Sequence, residues 1–232
     1  MKTQPRALLI LDVATMLVMA FATFMVFVYA PIEQVMGPVQ KVFYFHVSAG
    51  WTGMLGYLAA VVAGVAYLRT RNPKWDLVGL GAIEIGLAFM LINIVSGSIW
   101  ARPIWNTWWT WDPRLTTATI MELVYAAYLM LRQGIEDPEK RARFGAVYAI
   151  IGFISVPLTF FSIRIYRTIH PVVIGGGDPS VNGSFSMTPA MGLTFGISLL
   201  AFSILFASLL WHRIRLGQVG QRVEQLRLKM MH

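Results

Sequence analysis

The segment Trp100–Thr117 reads WARPIWNTWWTWDPRLTT and holds five of the eight tryptophans of the chain. These five indoles, at positions 100, 105, 108, 109 and 111, fall within twelve residues. On both sides of this segment, which we call the Trp-rich segment, the sequence consists mainly of long apolar runs. We therefore expect the rest of the protein to be a membrane scaffold that holds the Trp-rich segment at one face of a bilayer.

The composition supports a membrane protein. The 232 residues are 56% hydrophobic and 13% charged, whereas a soluble domain carries about 25% charged residues. The chain has no cysteine, which excludes disulfides, thiolate metal sites and covalent haem attachment through C-x-x-C-H. It also lacks a phosphate-binding loop motif. The net charge of +8 would favour nucleic acid as the partner of a soluble protein, but here the basic residues set membrane topology, and we expect no nucleic-acid partner.

The hydrophobic runs predict an all-α polytopic membrane protein with six transmembrane helices. A span needs about 20 apolar residues to cross roughly 30 Å of hydrocarbon. The predicted spans are about 8–30, 46–68, 77–100, 114–132, 144–163 and 189–212. The Trp-rich segment connects the third and fourth spans. We expect one six-helix transmembrane domain over 1–212 and a basic amphipathic tail over 213–232.

The distribution of basic residues predicts the orientation. Fourteen lysines and arginines lie in the N-terminus, the 69–76 and 132–143 connections and the tail, against five in the other three connections. Since positive charge is retained on the cytoplasmic side, both termini are expected in the cytoplasm. In a bacterial inner membrane the Trp-rich segment would then face the periplasm.

The tail is expected to be a basic amphipathic helix. Val219, Val223, Leu226 and Met230 recur at three- or four-residue spacing among basic residues. This pattern is typical of a helix that lies on anionic membrane lipid or docks on a partner subunit.

Within the Trp-rich segment, Asp112-Pro113 marks the start of the fourth span. Pro113 suits the first helical position, and Asp112 is a candidate N-cap. Upstream, a short helix over 104–110 would place Trp105, Trp108 and Trp109 on one face. Such a face is either an ordinary interfacial aromatic belt or a platform for a large flat apolar ligand.

Two histidines are expected beside this platform. His46 begins the second span and His170 follows the fifth, so both fall at the outer interface. Each alone could be an interfacial residue, but a pair of neutral imidazoles beside indoles suits axial ligation of haem iron. Five outer-face cations could pair with the propionates of haem. These are Lys41, Arg102, Arg114, Arg164 and Arg167.

The segment Trp105-x-x-Trp108-Trp109-x-Trp111-Asp112-x-Arg114-Leu115-Thr116 resembles the tryptophan-rich (WWD) signature of membrane proteins that handle haem during cytochrome c maturation. Phe45-His46-Val47 and Arg167-Thr-Ile-His170-Pro171, with the six spans, are similar to the CcmC branch, the haem exporter protein C family. The resemblance extends to about residue 212 and leaves out the tail.

The resemblance implies that haem b is held non-covalently at the outer face by His46 and His170 against the Trp-rich segment, and is then delivered to the haem chaperone CcmE, which binds a haem vinyl carbon covalently. The implied partners are the ABC transporter subunits CcmA and CcmB and the small protein CcmD. Haem or chaperone contacts are implied for Lys41, Trp100, Trp105, Asp112 and Arg114. The family usually has glycine where this chain has Asn106, and we expect asparagine to keep the left-handed turn.

Three other readings stay open. A cytochrome c–haem ligase of the same superfamily shares the tryptophan signature, although ligases are longer. The pore subunit of an exporter of haem or a small solute would need polar residues through the bundle, where Glu84, Asn93 and Glu122 stand out. For Glu84 and Glu122 we favour structural roles. A b-type electron-transfer subunit would place its histidine pairs within helices. An enzymatic role is not favoured, because the covalent bond would form on the partner.

The connection 171–188 is rich in turn residues and is a candidate lid.

Overall fold

The computed structural model describes residues 4–34, 36–166, 168, 170 and 187–231. Within these ranges the protein is α-helical and has no β-strand beyond an isolated bridge between Glu33 and Gly37. The helices are α1 (Arg6–Phe24), continued by a π-helical turn (Met25–Tyr29), α2 (Lys41–Thr70) after a 3-10 turn (Pro38–Gln40), α3 (Pro73–Trp105), α4 (Pro113–Gln133), α5 (Pro138–Gly152), α6 (Ser155–Ile165) and α7 (Pro189–Met230). The all-α prediction is confirmed.

Five helical segments are long and apolar enough to cross a membrane: Arg6–Tyr29, Pro38–Thr70, Pro73–Trp105, Pro138–Ile165 and Pro189–Met230. The remaining predicted span is α4, which has 21 residues and is more polar. The arrangement agrees with the six predicted spans.

The fifth span is divided into α5 and α6 by a turn at Phe153 and Ile154. Pro157 has no amide to donate to the carbonyl of Phe153. That carbonyl instead accepts from the amide of Val156 at 3.0 Å, which tightens the turn. The break matters for the site because it sets the direction of α6, which forms one of the cavity walls.

Four helices begin with the same local signal, a capping side chain followed by proline. Asn72, Asp112, Asp137 and Thr188 each accept a hydrogen bond from a first-turn amide of α3, α4, α5 and α7. The Asp112 Oδ1 atom lies 2.8 Å from the amide nitrogen of Leu115, so the predicted N-cap is confirmed. A capping side chain of this kind contributes about 1 kcal/mol to helix stability.

The helices pack closely along their length. A Cβ on Gly56 of α2 would come within 2.6 Å of the carbonyl oxygen of Ala82 on α3, so only glycine allows this approach. The rings of Tyr57 and Tyr125 stack at 3.6 Å between their centroids. The hydroxyl of Tyr57 also donates to Glu122 at 3.3 Å, which gives that intramembrane carboxylate a structural partner.

Charged pairs hold the other end of the bundle. Arg132 of α4 donates to both carboxylate oxygens of Asp76 on α3, at 2.6 and 2.8 Å. Glu84 of α3 accepts from Arg213 of α7 at 2.9 Å. Consequently α7 is tied to the bundle beyond residue 212, and it continues without interruption to Met230. The predicted tail therefore begins inside a helix.

Candidate functional site

A cavity opens at the end of the bundle where α3 ends and α4 begins, which we call the Trp end. It encloses about 1130 Å³ of empty space, counting its open mouth. Walls come from α2, α3, α4, α6 and the Trp-rich segment. Seven of the predicted site residues line it: His46, Trp100, Trp105, Trp108, Trp109, Arg114 and His170. Its size and largely aromatic lining suit a large apolar ligand with a few polar groups.

His46 lies in the second turn of α2, and hydrogen bonds to α3 fix its ring. Its Nδ1 atom is 2.9 Å from the carbonyl oxygen of Asn93 and 3.3 Å from the hydroxyl of Ser96. The carbonyl can only accept, and at 2.9 Å it is closer to Nδ1 than the Asn93 side-chain nitrogen at 3.2 Å, so the contacts favour a proton on Nδ1 and a lone pair on Nε2. The Asn93 side chain also donates to the His46 carbonyl at 2.7 Å. This arrangement fixes the ring through Nδ1 and leaves the lone pair on Nε2.

Gly97 provides the space for this ring. A Cβ at Gly97 would lie 2.7 Å from Cε1 and 3.2 Å from Nδ1 of His46. Real Cβ atoms do not approach that closely, so any larger residue at position 97 must displace the imidazole. The side chain of His46 and the backbone of α3 are thus fitted to each other.

His170 is anchored by a carboxylate from the Trp-rich segment. Its Nδ1 atom lies 3.3 Å from Oδ2 of Asp112, and the hydroxyl of Thr168 donates to the same oxygen at 2.6 Å. Only 16% of the His170 side chain and 10% of that of Asp112 are exposed. Asp112 therefore caps α4 with one oxygen and orients His170 with the other.

The electrostatics of Asp112 favour its charged form. Burial on its own raises the pKa of the Asp112 carboxyl. Hydrogen bonds from His170, Thr168 and the Leu115 amide outweigh that effect, and the net pKa lies below its usual range. Asp112 is thus a carboxylate beside the imidazole, an arrangement that increases the basicity of a histidine ligand.

A row of rings joins the two histidines along the cavity. The centroid distances are 5.8 Å from His46 to Trp100, 5.9 Å from Trp100 to Trp105 and 5.7 Å from Trp105 to His170. Near this row, three buried polar atoms make no hydrogen bond within the described part of the chain: Nε1 of Trp100, Nε1 of Trp109 and Oγ1 of Thr110. Because an unsatisfied buried donor costs about 1–3 kcal/mol, these atoms suit a ligand that brings polar groups into the cavity.

The predicted short helix over 104–110 is wrong. α3 ends at Trp105, and Asn106 adopts φ 52° and ψ 29°, which is the left-handed turn expected for asparagine at this position. The chain from 106 to 112 is not helical, yet Trp105, Trp108 and Trp109 all line the cavity. The Trp108 side chain lines the mouth and is 58% exposed, and that of Trp111 is 73% exposed and packs on Trp109.

The outer-face cations have different surroundings. Arg114 and Arg164 line the cavity, and Arg114 also donates to the carbonyl of Thr159 at 2.6 Å. Lys41 is directed elsewhere, since its ammonium donates to the carbonyl of Phe27 at 2.8 Å in the π-helical turn after α1. Arg102 donates to the carbonyl of Asn106 at 3.0 Å. Arg167 and most of the candidate lid, 171–186, lie outside the described residues.

Four residues that surround the two histidines were not predicted to belong to the site. Ser96, Gly97 and Thr168 had no predicted role, and Asn93 was predicted only as a possible pore residue. Asn93, Ser96 and Gly97 recur at helical spacing on α3, a polar stripe in an otherwise apolar helix. That stripe was the available signal. Among the described residues, no group of three or more His, Asp or Glu side chains is placed to hold a metal ion.

Several known proteins have sequences similar to that of this chain. The family described as CcmC, haem exporter protein C, matches residues 1–229, so the expectation that the resemblance stops near residue 212 is wrong. A haem exporter protein C of Bradyrhizobium diazoefficiens is 31% identical over 201 residues, 86% of this chain and 74% of the relative. One from Rhodobacter capsulatus is 28% identical over 227 residues, 97% and 92% of the two chains. A ccmC-like mitochondrial protein of Marchantia polymorpha, named for cytochrome c biosynthesis, is 29% identical over 177 residues, 76% and 72% of the two chains. With a match over almost its whole length, the chain belongs to the haem exporter protein C family.

Proposed function

We propose that this protein binds haem b at the outer face of a bacterial inner membrane and delivers it to the haem chaperone CcmE during cytochrome c maturation. His46 and His170 would be the axial ligands of the haem iron. The observation that carries the proposal is the anchoring of both imidazoles at one cavity. Each has its Nδ1 atom held by another group of the protein, which leaves Nε2 as the candidate ligand atom.

The remaining cavity residues suit the other parts of a porphyrin. Trp100 and Trp105 provide wide apolar surface between the two histidines. Arg114 and Arg164 provide guanidinium groups for carboxylates such as haem propionates. The iron supplies the coordination chemistry when haem is bound, and the protein binds, orients and shields it. Lys41 is not included in the proposed haem site, because its ammonium is engaged at the end of α1.

The exposed indoles suggest how the cargo is handed on. Trp108 lines the cavity, Trp111 packs on the cavity residue Trp109, and both side chains are exposed. Exposed tryptophan is enriched at protein interfaces, so these two are candidates for chaperone contact. The basic-residue count supports a cavity on the periplasmic side and both termini in the cytoplasm. In this proposal CcmA, CcmB and CcmD are partner subunits, and the protein itself positions a ligand without catalysing a reaction.

Absorption spectroscopy tests the ligand assignment. The full-length protein would be purified in neutral detergent from haem-replete cells, as wild type and as His46→Ala, His170→Ala and the double variant. His212→Ala is the matched control, because His212 pairs with Asp12 at the other end of the bundle. We expect a low-spin bis-histidine spectrum for wild type and control, altered spectra in each single variant and no haem in the double variant.

Two outcomes would contradict the proposal. Wild-type protein without haem under these conditions would exclude stable binding. A double variant that retains the wild-type spectrum would show that other residues ligate the iron. Added imidazole should restore a six-coordinate spectrum to each single variant, which distinguishes a lost ligand from a misfolded protein.

A further inference from the structure

The last part of α7 extends beyond the bundle as an unpartnered helix. α7 has 42 residues and is therefore roughly 60 Å long, about twice the thickness of the hydrocarbon core. It contacts the start of α3 as far as Gly217, where an added Cβ would lie 2.8 Å from Leu77. Every described residue from 218 to 231 is exposed.

An apolar seam runs along this extension. Leu216, Val219, Val223, Leu226 and Met230 alternate at three- and four-residue spacing, and each is 44–81% exposed. A repeat averaging 3.5 residues is the pattern of a coiled-coil seam. A helix that binds a lipid surface must lie in the plane of the membrane. Because α7 continues without a break from a membrane span, this geometry favours a helical partner over lipid.

The charges beside the seam indicate the kind of partner. The positions that flank a coiled-coil seam hold Arg215, Arg222, Arg227 and Lys229. Two copies of α7 leaving the same membrane face would be parallel, and Arg222 of one would then face Arg227 of the other. Like charges in these positions repel, so a second copy is disfavoured. A helix with acidic residues at the same positions would be attracted.

We propose that residues 216–230 form one strand of a coiled coil with an acidic-flanked helix of a different protein. This surface lies at the opposite end of α7 from the Trp end, so the proposal goes beyond haem binding and does not depend on it. It gives the haem exporter complex a docking point on the side of the membrane where the basic tail emerges.

A pair of synthetic helical peptides tests the proposal against full-length protein in neutral detergent. Both peptides carry leucine at the seam positions, and they carry glutamate or lysine at the flanking positions. We expect the glutamate peptide to bind at least about tenfold more tightly, as opposite charges at flanking positions set partner choice. Exchanging the charges with Arg222→Glu and Arg227→Glu should reverse this preference.

The matched controls lie on the same helix. Leu226→Asp should abolish binding of the glutamate peptide, whereas Leu228→Asp should not, because Leu228 is 47% exposed but lies off the seam. Equal binding of both peptides, or binding of neither, would overturn the proposal.

The two other candidate partners of the seam are a second copy of the chain and membrane lipid. Since the chain has no cysteine, Val223→Cys introduces a unique cysteine that tests for both. A disulfide between two full-length copies would show that the seam pairs with itself. A blue shift of a fluorophore on this cysteine in vesicles containing phosphatidylserine, but not in phosphatidylcholine alone, would show that it binds lipid. Either result would replace the proposed partner, and the absence of both is expected.

Discussion

Gly97→Ala tests whether the fitted contact between α3 and His46 controls the proposed haem site. The new methyl group would lie 2.7 Å from Cε1 of His46, whereas ordinary contacts begin at 3.4 Å. The ring must therefore move by about 0.7 Å. A shift of that size away from α3 would lengthen the 2.9 Å contact between Nδ1 and the Asn93 carbonyl beyond hydrogen-bonding range.

The expected loss of haem affinity follows from the lost hydrogen bond and the displaced imidazole of His46. A buried hydrogen bond of this type contributes about 0.5–1.5 kcal/mol, and loss of an outer-shell partner of a metal ligand reduces affinity by about 10–100-fold. We expect Gly97→Ala to weaken haem binding in that range, measured by titrating haem into purified apoprotein in detergent and following the Soret band. Its melting temperature should fall only slightly.

Gly192→Ala in α7 is the matched control, since no heavy atom of the described residues lies within 4 Å of the added Cβ. Alanine is favoured over glycine in a helix by about 0.5–1 kcal/mol, so this variant should be slightly more stable and bind haem normally. Wild-type haem affinity and spectrum in Gly97→Ala would refute the reasoning, because His46 would then not need its position against α3.

Three further variants test the positioning groups. Asp112→Asn keeps a capping oxygen but removes the charge beside the histidine, so haem affinity should fall by about 10-fold or more, and the melting temperature at neutral pH should fall as well. Because the folded pKa of Asp112 is lowered, its stabilisation is present above about pH 4 and lost as the pH falls further; the melting temperatures of wild type and variant should therefore differ at neutral pH and converge in acid. Lys41→Met should leave the haem spectrum unchanged and cost about 1 kcal/mol of stability, since the Lys41 ammonium donates to the Phe27 carbonyl. A changed spectrum would show that Lys41 belongs to the haem site. Asp76→Ala should destabilise the fold by about 3 kcal/mol in thermal unfolding, because it leaves Arg132, only 7% exposed, without its carboxylate.

The overall fold could be predicted from the sequence because a bilayer imposes a simple length requirement on apolar runs. The helix starts were also readable, since proline after a capping residue marks four of them. The division of the fifth span at Phe153 and Ile154 was missed. A proline in an apolar run can either kink a helix or interrupt it, and neighbouring packing decides between them.

The site was predictable in its residue types and less so in its geometry. His46, His170 and the indoles are rare enough in their context to stand out. The direction of Lys41 was not predictable, because a flexible side chain at a helix start can reach either a cavity or a neighbouring carbonyl. The predicted 104–110 helix is wrong because Asn106 takes the left-handed conformation, which ends α3.

The two proposed ligands are held in physically different ways, and this difference bears on how haem could be released. His46 is anchored to a backbone carbonyl inside the packed pair of α2 and α3, where glycines allow close contact. His170 is anchored to a carboxylate of the Trp-rich segment and follows α6 by only a few residues. Displacing His46 would break its contacts to α3 within a closely packed helix pair, whereas displacing His170 would break local hydrogen bonds to Asp112 and Thr168. In the proposed transfer, therefore, His170 is the ligand expected to leave first, and His46 is the one that keeps haem in place until the chaperone has engaged it.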